Sequence, residues 1–152
     1  RELNFIPLTD AVTICPLICE DLARQEPVVE VVRAVGPTLV IALLLDGPQM
    51  GERWPSRYAT VLADDPGSSV LTLTSLGMAL RSRPQGKEPA RLVALWKDRK
   101  TGLLEIELPP GKEAIILTVC REWREEWTAD YRGDGGNAAT PFLAGIEPIG
   151  LD

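Results

Sequence analysis

The sequence predicts an α/β fold from three observations. Ala11 to Val40 reads as a strand, a turn, a helix and a second strand. Leu39 to Leu45 is a continuous apolar run, too short to cross a bilayer and typical of a strand buried on both faces. A second helix then leads into a further strand, Ser69 to Thr74, followed by a hairpin and another strand. Strands alternating with helices build a sheet that helices cover.

The elements follow in order. Residues Arg1 to Asp10 lack clear periodicity and are expected to form a loop or an edge strand. Ala11 to Cys19 is the first strong strand, apolar on both sides, as in a covered sheet. Pro16 conflicts with a central position because it cannot donate to a ladder, so an edge, a bulge or a local distortion is expected before Cys19. Glu20 to Glu26 forms a turn, and Pro27 suits the first position of a helix, where a backbone N–H would have no partner. That helix runs to about Val35, is stopped by Gly36 and Pro37, and carries Val28, Val31, Val32 and Val35 on one face.

Asp46-Gly47-Pro48 ends the apolar strand, and the helix Pro55 to Ala63 follows. Asp64-Asp65-Pro66-Gly67 turns into the β-branched strand Ser69 to Thr74. Arg81 to Arg91 is a polar loop rich in Pro and Gly. Leu92 to Trp96 and Leu103 to Leu108 form a β-hairpin about Lys97 to Gly102, and Pro109-Pro110-Gly111 turns into the strand Ala114 to Cys120. Cys120 is expected in the core. Arg121 to Tyr131 places Trp123 and Trp127 four residues apart, the spacing of one side of a short helix. The expected organisation is a domain over residues 1–132 and an extended tail over 133–152.

Composition limits the function. A formal charge of −6 and a pI near 4.8 argue against a phosphate backbone as a direct partner, because nucleic-acid affinity rests on clustered Lys and Arg. The chain has no histidine, so it holds neither a Cys-His nor a Ser-His pair, nor a His-ligated zinc. No metal or cofactor is expected. Three cysteines are present, and along one strand Cys15 and Cys19 would lie about 13 Å apart, beyond disulfide reach. Free thiols and no long apolar run lead to the expectation of a cytoplasmic protein without a membrane segment.

The chemistry points to Cys19. A thiol at the carboxyl end of a buried strand, just before a helix, is fixed by the strand and exposed by the turn. A buried structural cysteine is the competing explanation. A redox thiol is a weaker one, since no CxxC is present. The loop Asp46 to Arg53 also follows a strand end, which makes Asp46, Arg53 and Trp54 pocket candidates, although turn chemistry and helix anchoring would explain them equally well. Thr74 stands at the next strand end and is a further candidate, although a satisfied hydroxyl at a strand end is the more common explanation.

Cys19-Glu20-Asp21-Leu22, Arg24, Pro27, the helix closed by Gly36 and the strand Leu39 to Leu45 resemble the nucleophile region of the nitrilase (carbon–nitrogen hydrolase) family. Trp54, Arg57 and Ala59 on a helix, the strand Ser69 to Thr74 and the hairpin around Lys97 to Gly102 extend the similarity from about Thr13 to Arg132. The resemblance implies the C-terminal half of an α-β-β-α sandwich that binds a small amide or nitrile, with Cys19 attacking an amide carbonyl to form a thioester and the Glu20 backbone N–H stabilising the oxyanion. It places Thr74 near where related proteins line the substrate pocket, beside the substrate-binding candidates Asp46, Arg53 and Trp54 taken from the strand ends. The family's triad is Glu-Lys-Cys, and its Glu and Lys lie upstream of the cysteine. Here 18 residues precede Cys19, with no Lys and only Glu2 among the acids' Glu type. The expectations are therefore a missing N-terminal half that supplies both groups, an isolated chain without activity, and a homo-oligomer. A catalytically inactive nitrilase-like binding or assembly module is the alternative.

Overall fold

A computed structural model of the protein describes residues 2–82, 90–124 and 138–150. It has a mixed α/β fold built on one six-stranded sheet, ordered β1 (Ile6–Thr9), β2 (Val12–Ile18), β3 (Leu39–Leu43), β4 (Ser69–Leu73), β5 (Leu92–Asp98) and β6 (Gly102–Glu107). β2, β3 and β4 run parallel, while β1, β5 and β6 join antiparallel to their neighbours. Three helices accompany the sheet in the described residues: α1 (Glu30–Val35), α2 (Trp54–Asp64) and α3 (Leu76–Arg81). A long antiparallel pair, β7 (Ala114–Arg124) and β8 (Ala138–Ile149), forms a second sheet.

Strand alternation divides the core in two. Cys15 and Leu17 on β2, Val40 and Ala42 on β3, Val70 on β4 and Leu95 on β5 point to one side, where they pack with Val28, Val29 and Val32 near α1 and with Ala59 and Leu62 of α2. The residues between them point to the other side. There Leu39, Ala94, Trp96 and Ile106 pack with Leu143 of β8, flanked by Leu71, Ile115 and Leu117. The β7–β8 pair covers only part of this second face. Ile18 and Leu43, register partners on it, remain 55% and 44% exposed, so an apolar strip stays in contact with solvent.

Two buried polar contacts hold β8 on the main sheet. Asp98 is buried on β5, and its carboxylate accepts hydrogen bonds from the Trp96 indole, the Thr101 backbone N–H and the Leu143 backbone N–H of β8. The Ser69 hydroxyl donates to the Pro141 carbonyl. Burial raises the Asp98 pKa, but these donors, Trp96 foremost, outweigh it and leave the carboxyl below the usual aspartate value.

Several expectations are corrected. The regular helix begins at Glu30 rather than Pro27, because Gln25–Val29 forms a wide turn with Glu26 in an extended conformation. The turn shifts the buried stripe to Val28, Val29 and Val32 and leaves Val31 and Val35 on the surface. Gly36 closes α1 in the left-handed region at φ 65°, as expected. Pro16 is tolerated because β1 pairs only with Val12 to Ile14, so β2 has a free side where the proline's N–H is missing. Cys120 is exposed on β7, not buried, and β7 continues as strand through Arg121 and Trp123 where a helix was expected. Trp127 and the expected boundary at residue 132 lie outside the described residues. Within 133–152, where an extended tail was expected, β8 is extended but paired along its length with β7, with Pro141 and Leu143 buried. No helix among the described residues is long and apolar enough to cross a membrane.

Candidate functional site

The three parallel strands end on the same side of the sheet, and their carboxyl ends carry Cys19, Asp46 and Thr74. In parallel sheets this is the end where loops diverge and leave room for a ligand. Cys19 follows β2 directly and opens a single 3-10 turn, Cys19–Ala23, with Leu22 buried beneath it. Its backbone lies at φ 50°, the only positive φ of a non-glycine residue among the described residues. A residue with a Cβ pays steric energy in that region, so the turn is held by its surroundings. The bend carries the chain out of the sheet and leaves the Cys19 side chain partly accessible, whereas Cys15, four residues earlier on β2, is fully buried. Burial pushes the Cys15 thiol up to about 11. The Glu20 N–H lies in the first turn of a helix, where backbone donors lack an intrahelical acceptor.

Asp46 organises the neighbouring loop. Its Oδ1 accepts 2.7 Å bonds from Arg53 Nη2 and the Gly47 N–H, and its Oδ2 accepts a 2.8 Å bond from Trp54 Nε1. The Thr74 hydroxyl donates to the Asp46 carbonyl at 2.6 Å. The structure thus joins Asp46, Arg53, Trp54 and Thr74 in one hydrogen-bonded group, although they come from three separate stretches of chain. Gly47 is required inside it: a Cβ there would fall against the Arg53 guanidinium and 2.7 Å from the Ser82 Cβ.

An open cleft of about 440 Å³ connects this group to Cys19, lined by Cys19, Glu20, Ala23, Leu45, Asp46, Trp54 and Tyr58. Arg53 and Thr74 bond to Asp46 but do not line the cleft. Sequence reasoning missed Tyr58, whose ring meets Trp54 edge-on at 6.0 Å. The signal was its i+4 spacing from Trp54 on α2. Gln49 was missed as well. It is fully buried, donates to the Gly47 carbonyl at 2.9 Å and accepts from the Thr72 hydroxyl at 2.8 Å, so it ties the loop to β4.

Chemically the cleft offers a thiol beside an aromatic wall. The ionisable side chains lining it besides Cys19 are Glu20, Asp46 and Tyr58. Both Asp46 oxygens are engaged by donors, and no lysine or arginine lines the cleft among the described residues. No group of three or more His, Cys, Asp or Glu suited to a metal ion occurs among them. No family model matches the chain, and neither a curated protein nor a solved structure matches it.

Proposed function

We propose that the chain is the cysteine-bearing half of a nitrilase-like α-β-β-α sandwich and acts on a non-peptide C–N bond, most simply that of an amide. The observation that carries this reading is Cys19 at φ 50° on the carboxyl end of a parallel strand, opening into a cleft walled by Trp54 and Tyr58. In the proposed reaction the Cys19 thiolate adds to the substrate carbonyl, the C–N bond breaks as the amine leaves with a proton, and water cleaves the resulting thioester. The Glu20 N–H donates to the oxyanion. From a segment beyond these 152 residues a glutamate would move the protons and a lysine would join the Glu20 N–H in stabilising the oxyanion, and that segment would cover the open strip of Ile18 and Leu43. A homo-oligomer acting in the cytoplasm completes the proposal, with a small amide or nitrile as the partner bound.

A direct test uses an activated ester, which needs no general acid to release its leaving group. Incubation of the chain with p-nitrophenyl acetate should give an acetyl adduct on Cys19, seen by peptide mass mapping and absent from Cys19→Ser. Acylation confined to Cys120 would overturn the reading. A second reading, an inactive module that binds or assembles, is favoured by the lack of any lysine lining the cleft among the described residues. Adduct formation without hydrolysis in the completed protein would select it.

A further inference from the structure

We infer that Asp46 is a positioning residue that sets Trp54 as the wall of the Cys19 cleft, and that this wall selects substrates with a flat apolar acyl group over those bearing a carboxylate. The inference rests on the proposed role of Cys19 and names the substrate class of that same cleft.

Asp46 has little left to offer a substrate. Its carboxylate accepts from Arg53, Gly47 and Trp54, and its carbonyl accepts from Thr74. What it does instead is fix an orientation. Trp54 is the first residue of α2 and packs, partly buried, against the main core. The bond to Asp46 holds the indole by its N–H edge, and Tyr58 holds it by an edge-on contact at 67°. These two constraints, with the packing on the core, fix the ring while part of its surface lines the cleft that Cys19 shares.

The rest of the lining agrees with an apolar, non-anionic occupant. Ala23, Leu45, Trp54 and Tyr58 supply carbon surface, on which a flat group gains by burial and by ring contact. Glu20 contributes a negative charge. No Arg or Lys is among the described lining residues, and Arg53 is engaged with Asp46 at 2.7 Å. A substrate carboxylate would thus meet Glu20 without a compensating cation, at a desolvation cost that an uncharged ring avoids. A cleft of about 440 Å³ is within the range of small-molecule sites, which begin at roughly 300 Å³.

The test compares two alkylating probes on the 152-residue chain: N-benzyl-2-iodoacetamide and N-(iodoacetyl)glycine. Each rate is divided by the rate of the same probe with glutathione, and Cys120, exposed on β7, serves as the internal reference. At Cys19 the benzyl probe should lead by about fivefold or more, the scale of one aromatic contact, with no such lead at Cys120. Trp54→Ala should bring the Cys19 ratio down to that of Cys120, and Trp54→Leu, which keeps apolar bulk without a flat ring, should lower it too. Asp46→Asn should lower the ratio at Cys19 alone, as expected of a residue that acts through Trp54. Equal ratios at the two thiols, or a ratio that both Trp54 variants leave unchanged, would overturn the inference. Labelling of Cys120 by both probes with none at Cys19 would instead overturn the reading of Cys19 as a nucleophile.

Discussion

The carboxylate of Asp46 accepts a 2.8 Å hydrogen bond from the indole of Trp54, so an acid just past a strand holds the first residue of a helix eight positions later. With the Arg53 and Gly47 bonds, the same group closes the whole loop between β3 and α2. Replacing Asp46 by Ala leaves the Trp54 and Arg53 donors without their acceptor in a part-buried setting. The expected loss is about 1–3 kcal/mol, read as a lower urea midpoint with an unchanged slope. Asp46→Asn, which retains one acceptor, should lose less.

The order of strands and helices was legible in the sequence because apolar runs such as Leu39 to Leu45 and the stop at Gly36-Pro37 are local signals. The position of Cys19 was legible for the same reason, since its strand ends where the polar Glu20-Asp21 begins. The gathering of Asp46, Trp54 and Thr74 followed from a topological rule, that loops after parallel strands share one end of the sheet. What failed depended on distant partners or on phase. Trp123 and Trp127 have helical spacing, but Trp123 lies on a strand because residues some 16 positions away, Ala139 in its case, supply the ladder. β8 hides in a segment rich in Gly and Pro, and only its pairing with β7 and its bond to Asp98 reveal it as a strand. α3 was missed because Gly77 weakens its propensity, although Ser75 caps it by accepting from the Met78 N–H at 3.3 Å.

Cys15 should be the silent thiol. It is fully buried and its pKa is raised from 9.0 to about 11, so its neutral form is favoured in the folded state. Native chain should take iodoacetamide at Cys19 and Cys120, and at Cys15 only after unfolding. The sign for stability follows. The neutral thiol's contribution is complete below pH 9.0 and is lost as pH rises toward about 11, by up to roughly 2–3 kcal/mol. Cys15→Ala should flatten the alkaline fall in the urea midpoint across that interval. An unchanged fall would show that other groups cause it.

Asp98 predicts the opposite pH behaviour. Its pKa is lowered in the folded state, so its contribution is present above the ordinary aspartate value, about 3.9, and is lost as pH falls through the lower folded value. Asp98→Ala leaves the Trp96 indole and the Leu143 N–H without an acceptor and should cost about 1–3 kcal/mol at neutral pH. The gap between wild type and variant should narrow in acid. Because Leu143 is on β8, the loss should appear first as faster amide exchange in β7 and β8 rather than in β2 to β4.

The open strip on the second face of the sheet predicts association. Ile18 and Leu43 are register partners at the carboxyl ends of β2 and β3, and both are substantially exposed. Ile6 on the edge strand β1 pairs with Ile14 on the same face and is exposed as well. The strip therefore shares its face with a sheet edge whose outer backbone groups have no neighbouring strand among the described residues. Apolar surface next to an open edge favours pairing with another chain, and β1 offers no charged side chain against it. Sedimentation velocity should show a weight-average mass that rises with concentration. Substituting Ile18→Glu with Leu43→Lys should suppress that rise while leaving the near-ultraviolet dichroism of buried Trp96 in place, because both side chains already face solvent. A concentration-independent monomer in the unsubstituted chain would show that this strip does not drive association.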